Sequence, residues 1–204
     1  MSDTIEFWYN PMSRARIVHW MLEEVGAPYA IRFVDFEKRE QKQPEFLAIN
    51  PMGKVPVIRH RGVVVTESAA ICAYLADAFP SAGLAPATND PRRGTYYRWL
   101  FFGAGCVEPA LADRMLSRPS PESQMTLGYG TYDDVLRTLE LAITPGPFIL
   151  GESFSAADVL IASQIGWSLM AKVLEPRPAF QAYLERCTAR PAYQRFSTQT
   201  KQAR

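Results

Sequence analysis

Two short segments of the chain combine the features needed to hold a peptide in an extended conformation. The first is the run 50–58, Asn-Pro-Met-Gly-Lys-Val-Pro-Val-Ile. Pro56 lies where a loop enters a strand and removes one hydrogen-bond donor, which only a strand start, a sheet edge or a cis peptide bond tolerates. If the Val55–Pro56 bond is cis, the amide and carbonyl groups of Val55 turn outward and are free to pair with a peptide.

The second segment, Thr-Glu-Ser at 66–68, lies where a helix is expected to begin. The first turn of a helix offers free backbone N–H groups and the positive end of the helix dipole, and Ser68 adds a hydroxyl. This corner suits an α-carboxylate, and Glu67 is available for an α-ammonium group. A peptide-binding edge next to such a corner is what an extended γ-glutamyl tripeptide requires.

The first half of the chain supplies the elements that would position these segments. Strand-like runs rich in β-branched and aromatic residues occupy four segments, 4–9, 30–36, 55–59 and 63–65. A helical stripe of apolar residues follows the first run, with Ser13 in the position of an N-cap and Gly26 in that of a C-cap. The order βαβ followed by ββα predicts a four-stranded mixed sheet covered by helices.

The second half of the chain shows no strand pattern. Residues 80–90 are rich in proline and small polar residues, which is typical of a domain linker. Behind this linker the pattern is helical, including one long helix from Arg92 to Met115 and a central helix opened by a Ser155–Asp158 capping box. We therefore predict three parts, a mixed α/β domain over 1–79, the linker over 80–90 and an all-α domain over 91–204.

Composition excludes several classes of function. The formal net charge of +1 lacks the basic surplus of a nucleic-acid binder. No apolar run approaches the roughly 20 residues that cross a bilayer, and the N-terminus has no export signal, so we expect a cytoplasmic protein without membrane contact. The scattered cysteines and histidines form neither a CxxC pair nor a metal-ligand spacing, so we expect no metal; they are Cys72, Cys106, Cys187, His19 and His60.

The run 50–58 together with Glu67 and Ser68 resembles the glutathione site of the cytosolic glutathione transferases, and the likeness covers nearly the whole chain. The resemblance implies a thioredoxin-like N-terminal domain, an all-α helical-bundle C-terminal domain, glutathione as co-substrate and a homodimer. It also implies that Val55 pairs with the cysteinyl backbone of the tripeptide, that Pro56 is the cis-proline, and that Glu67 and Ser68 hold the γ-glutamyl end.

Two lysines complete the glutathione site that the resemblance implies. Lys54 occupies a position that often carries Gln or Lys near the tripeptide. Lys42, which comes shortly before Pro44, resembles a basic position that meets the glycyl carboxylate. The Ser155–Asp158 box resembles the structural cap of the family's second domain.

We expect the group that activates the thiol in the turn between the first strand and the first helix. The pKa of a free thiol is about 8.5, so little thiolate exists at neutral pH. Because the thiolate is the nucleophile, a hydrogen-bond donor aimed at the sulfur is needed to lower this pKa. Ser13 is the first choice, although it could simply cap the helix. Asn10 offers an amide donor if the loop is aligned on Pro11, and Tyr9 is a third candidate. The sequence leaves these three alternatives open.

The second substrate of such an enzyme is a hydrophobic electrophile, which we expect between the two domains. Aromatic and apolar residues of the second half could line its site, namely Tyr96, Tyr97, Trp99, Phe101, Phe102, Met115 and Trp167. An enzyme that conjugates glutathione, with peroxidase or dehalogenase side activity, is the leading hypothesis. A non-catalytic relative that binds ligands or partners is the alternative, and the absence of CxxC argues against a thioredoxin-type redox protein.

Overall fold

A computed structural model describes residues 3–119 and 124–202. The described residues form two compact units, one containing the chain up to Ala82 together with the segment from Pro191, and the other containing Gly83–Arg190. The last helix therefore belongs to the first unit, whereas the sequence analysis placed it in the all-α domain. Its polarity pattern alone did not reveal which unit it contacts.

The first unit is built on a four-stranded sheet. The strands are β1 Ile5–Tyr9, β2 Tyr29–Phe33, β3 Val57–His60 and β4 Val63–Thr66. Their order in the sheet is β2-β1-β3-β4, with β1 parallel to β2 and the other two pairs antiparallel. This confirms the predicted mixed thioredoxin-like sheet. β2 ends before the predicted Phe36 because the Asp35 carboxylate accepts hydrogen bonds from the amides of Glu37 and Lys38 and closes a turn.

The helices of both units follow in chain order. They are α1 Ala15–Val25, α2 Pro44–Leu47, α3 Ser68–Ala78, α4 Arg92–Phe102, α5 Glu108–Met115, α6 Tyr132–Ile143, α7 Ala156–Met170, α8 Pro178–Thr188 and α9 Pro191–Gln202. α1 ends at Gly26, whose φ of 67° places it in the left-handed region that glycine adopts without strain, and its amide donates to the Leu22 carbonyl. This confirms the predicted C-cap.

The second unit is a bundle in which α7 is buried along most of its length. The long helix predicted over 92–115 is divided, because a π-helical segment, Gly103–Val107, separates α4 from α5. A Cβ atom on Gly103 would lie 2.8 Å from a methyl carbon of Leu160, so glycine here allows a close approach to α7. The Gln164 side-chain amide donates to the Gly103 carbonyl at 2.9 Å.

The predicted capping box at the start of α7 is confirmed. One Asp158 carboxylate oxygen accepts from both the amide and the hydroxyl of Ser155, each at 2.9 Å. The other accepts from the Ile149 amide at 2.8 Å and the Tyr183 hydroxyl at 2.9 Å. Asp158 is fully buried, so this single carboxylate satisfies donors from three segments of the bundle.

Replacing Asp158 with alanine should therefore destabilise the bundle more than removing one surface charge does. We expect Asp158→Ala to lower the free energy of unfolding by roughly 3 kcal/mol or more, because buried donors lose a charged acceptor. Asp133→Ala, an exposed aspartate in the first turn of α6, is the matched control and should stay within about 0.5 kcal/mol. Urea denaturation followed by circular dichroism measures both; equal losses would contradict this role.

Candidate functional site

The register of the sheet brings the predicted site segments to one edge. Trp8 near the end of β1 lies opposite Val57 at the start of β3, and Val57 lies opposite Thr66 at the end of β4. The chain therefore leaves or enters the sheet at the same edge three times. The loop after β1, the segment before β3 and the start of α3 all begin within one or two residues of this row.

The segment before β3 leaves a peptide-pairing edge open. The Val55–Pro56 peptide bond is cis, which is the conformation that the resemblance implies. Both residues are buried, yet within the described chain neither the amide nor the carbonyl group of Val55 takes part in a hydrogen bond. A backbone donor and acceptor on one residue can pair with the backbone of an extended ligand.

The turn that precedes Val55 is held by the buried side chain of Asn50. Its amide nitrogen donates to the Lys54 carbonyl at 2.8 Å, and its oxygen accepts from the Met52 amide at 3.1 Å. Such a side chain replaces the backbone hydrogen bonds that an irregular turn lacks. Asn50 therefore fixes the backbone immediately before Val55, a role that the sequence analysis did not assign to it.

Lys42 lies against the same turn. Its ammonium group donates to the Met52 carbonyl at 3.0 Å, so a positive charge is fixed at the surface beside residues 50–54. Gly53 makes this approach possible, since it has a φ of +61° and a Cβ atom on it would lie 2.7 Å from the Lys42 Nζ and 2.6 Å from the Gln41 carbonyl oxygen. Lys54 is also exposed, so the turn presents two cations.

The start of α3 is a strained corner with free amide groups. Glu67 has φ 65° and ψ 120°, which is rare for a residue with a side chain, and α3 begins at the next residue, Ser68. No side chain of the described residues caps this end of the helix. Glu67 is also exposed, so an exposed acidic residue directly precedes the uncapped amides at the start of α3.

Asn10 organises the loop after β1 through both ends of its side chain. It is buried, its amide nitrogen donates to the Val34 carbonyl at 2.8 Å, and its oxygen accepts from the Met12 amide at 2.8 Å. The loop is thereby tied to the end of β2. Asn10 thus has a structural task in this loop, and one of its two N–H groups is already committed to Val34.

Ser13 supplies a hydroxyl group to the same loop and is half-buried. Its hydroxyl donates to the Asn10 carbonyl at 2.7 Å and accepts from the Ala15 amide at 3.1 Å. The N-cap position itself is taken by Arg14, one residue later than predicted. A hydroxyl proton can rotate to another acceptor without moving the backbone, so Ser13 can serve both the loop and a ligand.

Tyr9 lies on the core side of the sheet. Only 3% of its surface is exposed, and its ring contacts those of Phe7 and His19 at centroid distances of 5.4 and 5.2 Å. Trp8, its neighbour, points to the opposite face because side chains alternate along a strand. The environment of Tyr9 is therefore that of a core residue.

Asn10 and Asn50 use the same local device, and the sequence contains the signal for it. Both begin an Asn-Pro-Met tripeptide, at 10–12 and at 50–52, and in both the asparagine oxygen accepts from the methionine amide. Proline after asparagine pre-sets the turn that this hydrogen bond closes. The repeated tripeptide could have identified both residues as the ones that shape the two loops of the site.

The cysteines lack the properties of reactive thiols. Burial raises the pKa of Cys72 to about 12, and burial followed by the nearby Asp158 charge raises that of Cys187 to about 12. The pKa of Cys106 is also raised by burial. Over residues 3–119 and 124–202, no group of three or more His, Cys, Asp or Glu side chains is placed to hold a metal ion.

The residues proposed to line an electrophile site differ in exposure, and among them Phe102 is half-buried and Met115 is exposed. Tyr96 and Trp99 are buried in the second unit and belong to its core. Tyr97 and Phe101, one turn apart on the same helix, are exposed by 39% and 73%, and Trp167 on α7 is exposed by 39%. Apolar surface for a ligand is therefore available on the second unit itself.

The fold and the sheet edge together define a class of protein, a thioredoxin-like domain with a cis-proline binding edge followed by a helical domain. The glutathione S-transferase N-terminal domain model matches residues 4–77, and the glutathione S-transferase C-terminal domain model matches residues 108–186. The two matches span most of the chain, so the chain belongs to the glutathione S-transferase family. Glutathione binding and transferase function follow from this membership, and the non-catalytic alternative is not favoured.

Individual relatives agree with this assignment at modest identity. The glutathione S-transferase GstA of Escherichia coli O157:H7 is 27% identical over 194 residues, covering 93% of this chain and 96% of the relative. A glutathione transferase homologue from Sulfitobacter, solved with bound glutathione, is 27% identical with a TM-score of 0.80 and coverage of 97% and 99%. A glutathione transferase from Methylococcus capsulatus is 29% identical with a TM-score of 0.79 and coverage of 97% and 98%.

Gly53 provides a test of the turn beside Val55. We expect Gly53→Ala to weaken glutathione binding about ten-fold, since the new methyl group displaces the Lys42 side chain and the Gln41 carbonyl. Gly62→Ala is the matched control, because Gly62 also has a positive φ, of +81°, but a Cβ atom there meets nothing within 4 Å. Calorimetric titration with glutathione compares the two; equal affinities in both variants would contradict the assigned position of the turn.

Proposed function

We propose that glutathione binds in an extended conformation along the sheet edge defined by Trp8, Val57 and Thr66. Val55 pairs with its cysteinyl backbone, beside the cis bond to Pro56. The main support for this proposal is the row of paired residues Trp8, Val57 and Thr66. The unpaired backbone of Val55, the uncapped start of α3 and the loop after β1 all lie next to this row, at the same edge of the sheet.

The two ends of the tripeptide meet groups of different charge. Glu67 and Ser68 receive the γ-glutamyl group, the carboxylate of the ligand meeting the amides and hydroxyl at the start of α3 and its ammonium group meeting Glu67. Lys42 and Lys54 receive the glycyl carboxylate. Anchoring both charged ends fixes the position of the sulfur between them, which is what orientation contributes to catalysis.

Ser13 donates the hydrogen bond that stabilises the thiolate. Its hydroxyl is at the edge of the loop, already oriented by Asn10 and Ala15, and can turn its proton from the Asn10 carbonyl to an anionic sulfur. A hydrogen bond to the charged form lowers the pKa of a thiol. Asn10 is the less suitable donor because its side chain holds the loop to Val34, and its effect is that of a supporting residue.

The co-substrate of the reaction is a small hydrophobic electrophile. The exposed rings of Tyr97, Phe101 and Trp167 support this choice, since apolar surface selects by shape and contact rather than by hydrogen bonds. We further propose that the protein is cytoplasmic and a homodimer and serves detoxification, as its family resemblance implies. Among the described helices none has the length and apolar character needed to span a membrane.

Variants of the loop after β1 separate activation from binding. We expect Ser13→Ala to retain glutathione affinity within about two-fold while the pKa of the bound thiol rises by about one unit or more, because one charge-assisted hydrogen bond is lost. Turnover with a model aryl halide should fall in parallel. The thiol pKa is read from the ultraviolet absorbance of the thiolate as pH is varied.

Asn10→Ala is the companion variant and should behave differently. Loss of the tie to Val34 should weaken glutathione binding and lower the stability of the first unit together. An unshifted thiol pKa in Ser13→Ala would assign activation to another group, and no glutathione binding by the wild type would overturn the proposed function.

A further inference from the structure

α1 carries two buried stripes, and only one of them is apolar. Ile17, Val18, Met21 and Leu22 are buried and form the apolar stripe. A second stripe, at the spacing i, i+3, i+4 and i+7, contains polar and aromatic side chains, and its members are Arg16, His19, Trp20 and Glu23. His19 and Glu23 are only 2% and 8% exposed, so this stripe is covered as well.

The cover of the second stripe is α9, through aromatic contacts in its first half. The Arg16 guanidinium lies 5.1 Å from the centroid of the Phe196 ring. The same ring meets His19 edge-on at 5.3 Å, and the Tyr193 ring meets Trp20 edge-on at 4.8 Å. Cation–π and edge-to-face contacts are directional, so they fix how the two helices lie against each other.

Charged and polar contacts hold the other end of the stripe. One Glu23 oxygen accepts from Arg195 at 2.9 Å, and the other accepts from the Tyr29 hydroxyl at 2.7 Å and from Gln199 at 3.1 Å. Burial alone would raise the pKa of Glu23, but these donors outweigh it and hold its pKa below the ordinary value. Gln199 also pairs with His19, at 2.8 Å.

The second stripe of α1 extends to the loop that carries Ser13, the proposed hydrogen-bond donor to the thiolate. Arg16 belongs to the first turn of α1, and its amide donates to the Ser13 carbonyl at 3.3 Å. The Ala15 amide, in the same turn, donates to the Ser13 hydroxyl oxygen at 3.1 Å. A displacement of this turn therefore moves the hydroxyl, and Phe196 of α9 contacts the turn through the Arg16 guanidinium.

We propose that α9 positions the thiol-activating loop, with Phe196 as the positioning residue acting through Arg16. The proposal rests on the proposed role of Ser13 and extends it to a helix about 180 residues away in the sequence. A positioning contact of this kind acts on the reactivity of the bound thiol more than on tripeptide binding, because the residues proposed to hold the tripeptide lie on other segments.

Substitutions at the two ends of the stripe test the proposal. Phe196→Leu removes the ring and keeps an apolar side chain. We expect the thiol pKa of bound glutathione to rise by about half a unit, while the dissociation constant of glutathione changes less than about two-fold. Arg195→Gln removes the ion pair with Glu23 at the far end of α1 and should shift the thiol pKa much less. Thr198→Ala, on the exposed face of α9, is the control and should match the wild type.

Comparing these variants separates an effect on the position of the loop from a general loss of stability. Circular dichroism melts of all variants give their loss of stability, and Phe196→Tyr, which keeps the ring, should restore the wild-type thiol pKa. The proposal is overturned if folded Phe196→Leu has an unshifted thiol pKa, or if the shift follows stability loss equally at both ends of the stripe.

A second variant covers the case in which Phe196→Leu does not fold. Arg16→Lys keeps the positive charge but loses the planar guanidinium over the ring, and the same rise in thiol pKa is expected; an unchanged pKa overturns the proposal. The wild type is measured first. If it binds glutathione without lowering the thiol pKa, the proposed role of Ser13 fails; if it lowers the pKa and Phe196→Leu does not change it, only the role of α9 fails.

Discussion

The antiparallel pairing of β3 with β1 and with β4 is the constraint on which the site depends. It places Trp8, Val57 and Thr66 in one row, and the proposed contacts of Ser13, Val55, Glu67 and Ser68 with glutathione lie one to five residues from that row in the sequence. A shift of the register by one residue would turn the side chains of β3 to the other face and misplace Val55 relative to α3. The site is therefore a consequence of strand pairing more than of any single side chain.

Two asparagines turn this sheet edge into a shaped surface. Asn10 and Asn50 supply hydrogen bonds that their loops cannot make through the backbone, and each leaves the neighbouring groups in place for a ligand. Glu67 has a positive φ just before α3, and Gly53 allows the close approach of Lys42. Helix α9 adds a further support from outside, through the stripe that includes Arg16 and His19.

The sequence predicted the sheet, the helical second half and the capping box at Ser155, because these depend on local periodicity and on residue types with strong positional preferences. It also predicted that a helix begins close to Ser68. It did not reveal that α9 lies on α1, since a helix shows which of its faces is apolar but not what covers it. Nor did it reveal that the Asn10 side chain is tied to the Val34 carbonyl, because this contact joins two segments that are distant in the sequence.

The most direct test of the account is a nuclear magnetic resonance titration of the ¹⁵N-labelled protein with glutathione. The account predicts that the backbone amide signals of Val55 and Ser68 shift with a single saturating dissociation constant, since these amides pair with the bound tripeptide. Saturable binding that leaves both signals unmoved would contradict it, because glutathione would then occupy another part of the molecule.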